Sequence, residues 1–187
     1  GRETTDTWSQ GDYYVTHKTS VPRFFGGLGT TLQAYGFDFS INTSFQIGGY
    51  QYDGTYAQFM ASPTSSNAGY NFHKDLLNAW SVENTGSSIP RMVFDDTYSA
   101  GASTRFLTSS SYFNIENINL GYTFPTSLTR KFEVQALRLY LACENVYYFS
   151  KRQGFDPRQS YSSTTNATYY SPMRTFSVGQ IGRASCR

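Results

Sequence analysis

Cysteine is scarce in this sequence. Cys143 and Cys186 are the only two in 187 residues, too few for a disulfide framework or a zinc site. Cys143 falls in an apolar phase of its segment and reads as a small hydrophobe. The two histidines, His17 and His73, lie far apart in sequence and neither is near a cysteine, so no metal is expected. An excess of one charge is also missing: 15 basic and 13 acidic residues leave a net charge of +2. A nucleic-acid partner, which needs a clustered basic face, is therefore not expected. No run of about 18 apolar residues occurs, which excludes a membrane-spanning helix. It excludes nothing about transmembrane strands, which turn only half their residues to lipid. No G-x-S-x-G elbow, Walker A loop or dinucleotide-binding glycine pattern is present. Asp95-Asp96-Thr97-Tyr98-Ser99-Ala100-Gly101 fails the EF-hand spacing. Neither an enzyme nor a cofactor is expected.

Aromatic residues, by contrast, are abundant, at 18% of the chain with 16 Tyr and 15 Phe. They favour strands and membrane interfaces. In "GFDFSINTSFQIGGYQYDG", Phe37, Phe39, Ile41, Thr43, Phe45 and Ile47 share one strand face, and Asp38, Ser40, Asn42, Ser44 and Gln46 share the other. The same period marks five strands, at about Arg23–Ala34, Phe37–Tyr50, Tyr112–Phe124, Ala136–Tyr147 and Arg174–Gly179. In the third, Phe113 and Ile115 stand out of phase with Ile118, Leu120, Tyr122 and Phe124, which predicts a bulge near Glu116-Asn117.

The connections alternate in length. A tight turn at Tyr35-Gly36 and a short link from Pro125 to Gln135 contrast with long segments over 51–111 and 149–171. Short turns at one end and long loops at the other are the habit of outer-membrane barrels, with the short ends in the periplasm. Phe37 to Ile47 is 11 residues, and a tilted strand needs about 9–11 to cross a bilayer. Five strands cannot close such a barrel, and an open edge in lipid leaves backbone groups unsatisfied. The expected fold is all-β: antiparallel strands forming an arc of a larger transmembrane barrel. A soluble β-sandwich that stacks its aromatics on sugars has the same period and is the alternative.

Several stretches are more specific than periodicity. "VPRFFGGLGTTLQAYGFDFSINTSFQIGG" leads into the first hairpin. "LLNAWSVENTGSSIPR" contains Trp80, Glu83-Asn84-Thr85 and Ile89-Pro90-Arg91. "SSSYFNIENINLGYTFP" contains Leu120-Gly121-Tyr122 and Pro125. "LRLYLACENVYYFSKRQGFDP" ends in Gly154-Phe155-Asp156-Pro157, a turn fixed by Gly and Pro, and "YYSPMRTFSVG" follows. In this order they resemble the C-terminal end of the SusC-like (SusC/RagA) TonB-dependent transporters of Bacteroidetes outer membranes, from about Tyr13 to Gly179.

The resemblance implies a 22-stranded barrel with a plugged lumen that imports glycans or peptides across the outer membrane. It implies outer-membrane lipid, a SusD-like lipoprotein and the TonB complex as partners, TonB acting through an N-terminal part outside these residues. A siderophore-type TonB-dependent transporter is a weaker alternative, against which the Trp80-to-Arg91 pattern argues. Residues 1–180 are expected to be barrel. Residues 181–187, in "QIGRASCR", lack alternation and are expected to be an aberrant tail, a truncation or vector-derived. If substrate touches this arc, flat rings in the long segments are the candidates: Trp80, Tyr98, Tyr161, Tyr169 and Tyr170.

Overall fold

The computed structural model describes residues 16–96, 103–152, 154–159, 164–165 and 172–184. In chain order the elements are β1 (Phe24–Ala34), β2 (Phe37–Ile47), β3 (Tyr50–Asp53), α1 (Gly54–Phe59), β4 (Leu107–Ser109), β5 (Tyr112–Thr123), α2 (Thr126–Thr129), β6 (Val134–Ser150), β7 (Thr164–Thr165) and β8 (Thr175–Ala184). The described residues fall into two compact units, one within Val21–Gly49, Ser109–Gln159 and Tyr170–Arg187, the other within Gly1–Ser20, Tyr50–Thr108 and Ser160–Tyr169.

The first unit is a single antiparallel sheet in the order β1-β2-β5-β6-β8. Its strands are the five that the alternation marks. Tyr35 and Gly36 turn the β1–β2 hairpin with φ of 51° and 87°, as a two-residue type I′ turn requires. A Cβ at Gly36 would sit 2.7 Å from the Thr123 carbonyl oxygen, so the next strand also needs glycine there. Pro125 ends β5, and α2 with a 3-10 turn at Arg130–Phe132 carries the chain to β6. Both short connections lie at the same end of the sheet, as the pairings Ala34–Phe37–Tyr122 and Thr123–Arg138 show.

Register sets the faces. Leu32–Phe39–Leu120–Leu141–Val178 and Thr30–Ile41–Ile118–Cys143–Phe176 form continuous cross-strand rows. Ladder shifts fall at Asn42/Thr43 against β5 and at Ile115/Asn117 against β6. Glu116 is thus the bulged residue, and beyond it Ile115 and Phe113 return to the apolar face. Asn145, opposite the bulge on β6, takes a φ of 51°.

Burial in this sheet is the inverse of that in a water-soluble one. Leu32 is 63% exposed, Leu141 52%, Phe176 74% and Val178 79%, while Gln46 and Asn114 are buried. Among the described residues, no large apolar side chain of the five strands is fully buried. Among the described residues the large apolar side chains of this face stay exposed, whereas a soluble sandwich must bury them, so the sandwich reading fails on its main requirement. Apolar area is worth about 25 cal/mol per Å² when removed from water, and a face this exposed is built for lipid. The chain forms an arc of a larger transmembrane β-barrel, unclosed in itself.

β8 runs through Ala184, past Gly179 where the alternation stops. Its backbone pairs on, with Ile181 opposite Arg138 and Gln180 opposite Leu139. That places Ile181 on the polar face and Gln180 on the apolar one. The ladder tolerates this because backbone groups pair whatever the side chains are.

The second unit revises the expectation of an irregular loop over 51–111. The second strand was expected to reach Tyr50, but it ends at Ile47, and Tyr50–Asp53 forms the separate strand β3 in a small sheet of order β4-β3-β7. The Asp53 side chain accepts from the Tyr56 N–H at 2.9 Å and caps α1, as an N-cap acid should. Ala57, Met60, Leu76 and Phe106 make a core, flanked by Tyr52, Tyr56, Phe72, Ile89 and Met92. The Tyr56 hydroxyl donates to Asp75 Oδ2 at 2.8 Å. Burial, reinforced by that bond, pushes Tyr56 up to about 12. These core positions have no regular spacing, so periodicity cannot reveal them.

Candidate functional site

The polar face of the sheet is the candidate functional surface. Along it Asn42 Nδ2 donates to Asn117 Oδ1 at 2.9 Å, Asn119 Nδ2 to Ser40 Oγ at 3.1 Å, and Asn114 Nδ2 to Ser44 Oγ at 3.5 Å. Gln46 Nε2 reaches the Ser110 carbonyl and hydroxyl, both at 3.2 Å. These are small amides and hydroxyls in hydrogen-bonding rows, the wall expected of a wet lumen.

Toward the short-turn end the rows give way to an ion pair. Arg138 on β6 donates from Nε to Asp38 Oδ1 at 3.1 Å and from Nη2 to Asp38 Oδ2 at 2.5 Å. The partners belong to β6 and β2, with β5 between them. They meet because the intervening residue is Gly121, where a Cβ would stand 2.5 Å from both side chains. The guanidinium also lies 5.7 Å from the Tyr140 ring centroid. Two-point contact makes the pair directional as well as charged.

At the opposite end, Gly154-Phe155-Asp156-Pro157 does more than turn the chain. Phe155, Asp156 and Pro157 are buried. Ser150 Oγ donates to the carbonyls of Arg152 and Phe155, both at 2.9 Å. Arg158 closes the arrangement, with Nε and Nη2 on Asp156 at 2.8 and 2.7 Å, Nη1 on Asn114 at 2.6 Å, and its guanidinium 4.4 Å over the Tyr148 ring. The bonds to Asp156 raise the Arg158 pKa above its usual value. The motif thus pins the long segment after β6 to the polar face. Beside it a cavity of about 540 Å³ opens, lined by Asn145, Tyr147, Tyr148, Phe149, Arg158 and Arg174 among others.

Of the five rings expected to meet substrate, the structure describes one. Tyr98, Tyr161, Tyr169 and Tyr170 lie outside the described residues. Trp80 is 38% exposed on a loop braced by hydrogen bonds: the Trp80 N–H to the Ile89 carbonyl at 2.9 Å, and Asn84 Nδ2 and Ser87 Oγ to the Asn78 carbonyl at 3.1 and 2.5 Å. Sequence reasoning did not single out Asp38, Arg138 and Arg158. Each stood in a polar phase of a strand or beside a motif, but their partners depend on register. Among the described residues no group of three or more His, Cys, Asp or Glu gathers as for a metal, and no helix is long and apolar enough to cross a membrane.

A sheet polar within and apolar without defines the class: a segment of a transmembrane β-barrel. Known proteins carry the likeness further. No family model matches the chain. It is 27% identical over 169 residues to TonB-dependent receptor P3 of Formosa agariphila, a match spanning 85% of this chain and 16% of that protein. Among solved structures it is similar to the RagAB peptide transporter, with a TM-score of 0.71 and 22% identity over 89% of this chain and 18% of the other. The RagAB peptide importer in its 'open-open' state gives a TM-score of 0.68, again at 22% identity. The chain therefore spans under a fifth of the length of the proteins it matches. Over most of its own length it resembles a TonB-dependent receptor in sequence and the RagAB transporter in fold, in line with its motif order. The proteins it resembles are named as receptors and transporters, not as enzymes.

Proposed function

We propose that this chain is the C-terminal arc of an outer-membrane TonB-dependent importer of the SusC type. The observation that carries the reading is the inverted sheet, with exposed Leu32, Leu141, Phe176 and Val178 on one face and the bonded Asn–Ser rows on the other, in a chain resembling a TonB-dependent receptor. In this reading the arc completes a 22-stranded barrel around a plug, and residues 1–180 belong to that barrel. Residues 181–187 stay apart as the segment where face alternation is lost, although the ladder itself continues to Ala184.

Transport would use little chemistry in the arc itself. The apolar face holds the wall in lipid. The polar face presents amides, hydroxyls and the Asp38–Arg138 pair to whatever fills the lumen. Substrate, an oligosaccharide or peptide, is held between the long segments and a SusD-like lipoprotein, and the TonB complex acts through the N-terminal part. The barrel pattern assigns the short turns, at Tyr35 and 126–131, to the periplasm and residues 51–111 and 149–171 to the cell exterior. In the full-length transporter on intact cells, a cysteine at Ser65 should react with an impermeant maleimide and one at Ser127 should not. The reverse pattern would invert the topology.

Trp80, Tyr98, Tyr161, Tyr169 and Tyr170 remain the proposed substrate contacts. Trp80 is the sharpest test because its loop is braced by hydrogen bonds while its ring is partly open. Full-length Trp80→Ala transporter, at normal surface abundance, should support slower growth on the imported oligomer. Stacking of a nucleobase on an aromatic is worth about 1–3 kcal/mol by alanine substitution, and a loss of that size for a substrate ring stacked on Trp80 would weaken affinity by about 5-fold to 150-fold. Unchanged growth for all five alanine variants would leave these rings without a part in binding.

A further inference from the structure

The cavity at the loop end of β6 lies where the apolar face meets charge. Tyr147 and Phe149 share that face with Ile115 and Phe113. They are about half exposed, with ring centroids 4.7 Å apart edge to face, and Phe113 lies 6.3 Å from Phe149. The apolar face therefore ends in a cluster of rings. Such clusters mark the headgroup level of a membrane, where a ring has one side in hydrocarbon and the other in polar surroundings.

Two arginines line the same cavity. Arg158 has its charge met by Asp156. Arg174 is exposed and makes no ion pair with any described residue. Its backbone is held at the rim, because Asn145 Nδ2 donates to the Met173 carbonyl at 3.1 Å. The left-handed turn at Asn145 lies just beyond Glu144, the last β6 residue paired with β8. A bulge in the ladder, an amide tether and a guanidinium with no ion-pair partner among the described residues thus converge beside the ring cluster. The volume of about 540 Å³ falls in the ordinary range for small-ligand sites.

We propose that this cavity seats the phosphorylated headgroup of an outer-leaflet lipid. The phosphate rests on the Arg174 guanidinium, the body of the headgroup lies against Tyr147 and Phe149, and the acyl chains run down the apolar face. Guanidinium recognises phosphate by two parallel N–H···O bonds. The inference rests on the outer-membrane reading. The cavity is bounded by Tyr148 and Arg158 of the polar face on one side and by the lipid-facing rings Tyr147 and Phe149 on the other, and its continuity with those rings favours a lipid over a soluble anion or an acidic substrate.

The test uses the full-length transporter extracted from outer membranes in mild detergent. Bound lipid is counted by native mass spectrometry, and heat-modifiable mobility on gels confirms that each variant is folded. Wild type should retain a phosphorylated lipid. Arg174→Glu should lower its occupancy by about tenfold, since each cation near an anionic surface contributes to binding and reversal also adds repulsion. Arg174→Lys should fall between. Tyr147→Ala, which keeps every charge, should loosen the same adduct and serves if Arg174→Glu does not fold. Purified lipid A added back to delipidated wild type should restore the adduct. Equal lipid on wild type, Arg174→Glu and Tyr147→Ala would overturn the proposal. So would displacement of the lipid by inorganic phosphate, or by an acidic trisaccharide that binds in an Arg174-dependent way. A transporter absent from the outer membrane fraction would instead overturn the functional reading itself.

Discussion

Full-length transporter carrying Ile41→Arg is expected to fail to assemble, whereas Ser40→Arg, one residue away, is expected to assemble. Ile41 pairs with Thr30 and Ile118 in the middle of the apolar face. An arginine there must leave water for hydrocarbon, at a cost of about 2–4 kcal/mol near the bilayer midplane. That is a large part of the marginal stability of a folded protein. Ser40 stands on the polar face and accepts from Asn119 at 3.1 Å. Replacing it loses that bond, worth about 1 kcal/mol, and leaves the new charge facing the wet side. Heat-modifiable mobility and surface abundance report both variants. Equal assembly of the two would mean that the faces have been assigned wrongly.

The second large effect concerns the 187-residue chain expressed alone. It should collect in inclusion bodies and give no conductance in planar bilayers. β1 and β8 are the edges of the sheet, and unpaired edges template aggregation. Leu32, Leu141, Phe176 and Val178 are exposed on one face, with Phe39 and Leu120 in the row between Leu32 and Leu141, forming an apolar surface far beyond the scattered single residues that soluble proteins tolerate. The small core of Ala57, Met60, Leu76 and Phe106 lies in the other unit and includes no residue of the five strands. A soluble monomer with a cooperative melt in detergent-free buffer would contradict this and restore the sandwich reading.

The five strands were legible because pleating has a period of two and the bilayer sorts residues at that period. Even the bulge showed, since Phe113 and Ile115 fall out of phase with Ile118 unless one residue is extra. Strand ends were less legible. β6 runs from Val134 to Ser150 and β8 to Ala184, because a backbone ladder extends wherever a neighbour offers partners, whatever the side chains say. The unit around Met60 and Phe106 was read as loop, because its core is assembled from short irregular segments that carry no periodic signal.

The candidate surface divides in the same way. Sequence by itself determined that Asp38 and Arg138 occupy polar phases of their strands, that Tyr35-Gly36 turns a hairpin, and which transporters the motif order resembles. It did not determine that Asp38 meets Arg138, 100 residues away, or that Gly121 must be bare to let them touch, or that Arg158 locks Asp156 against Asn114. Alternation is a local property, written into each strand by the geometry of its own backbone. Register and cross-strand contact are set by turns, bulges and neighbours acting together, and only the tertiary structure brings those distant residues to one place.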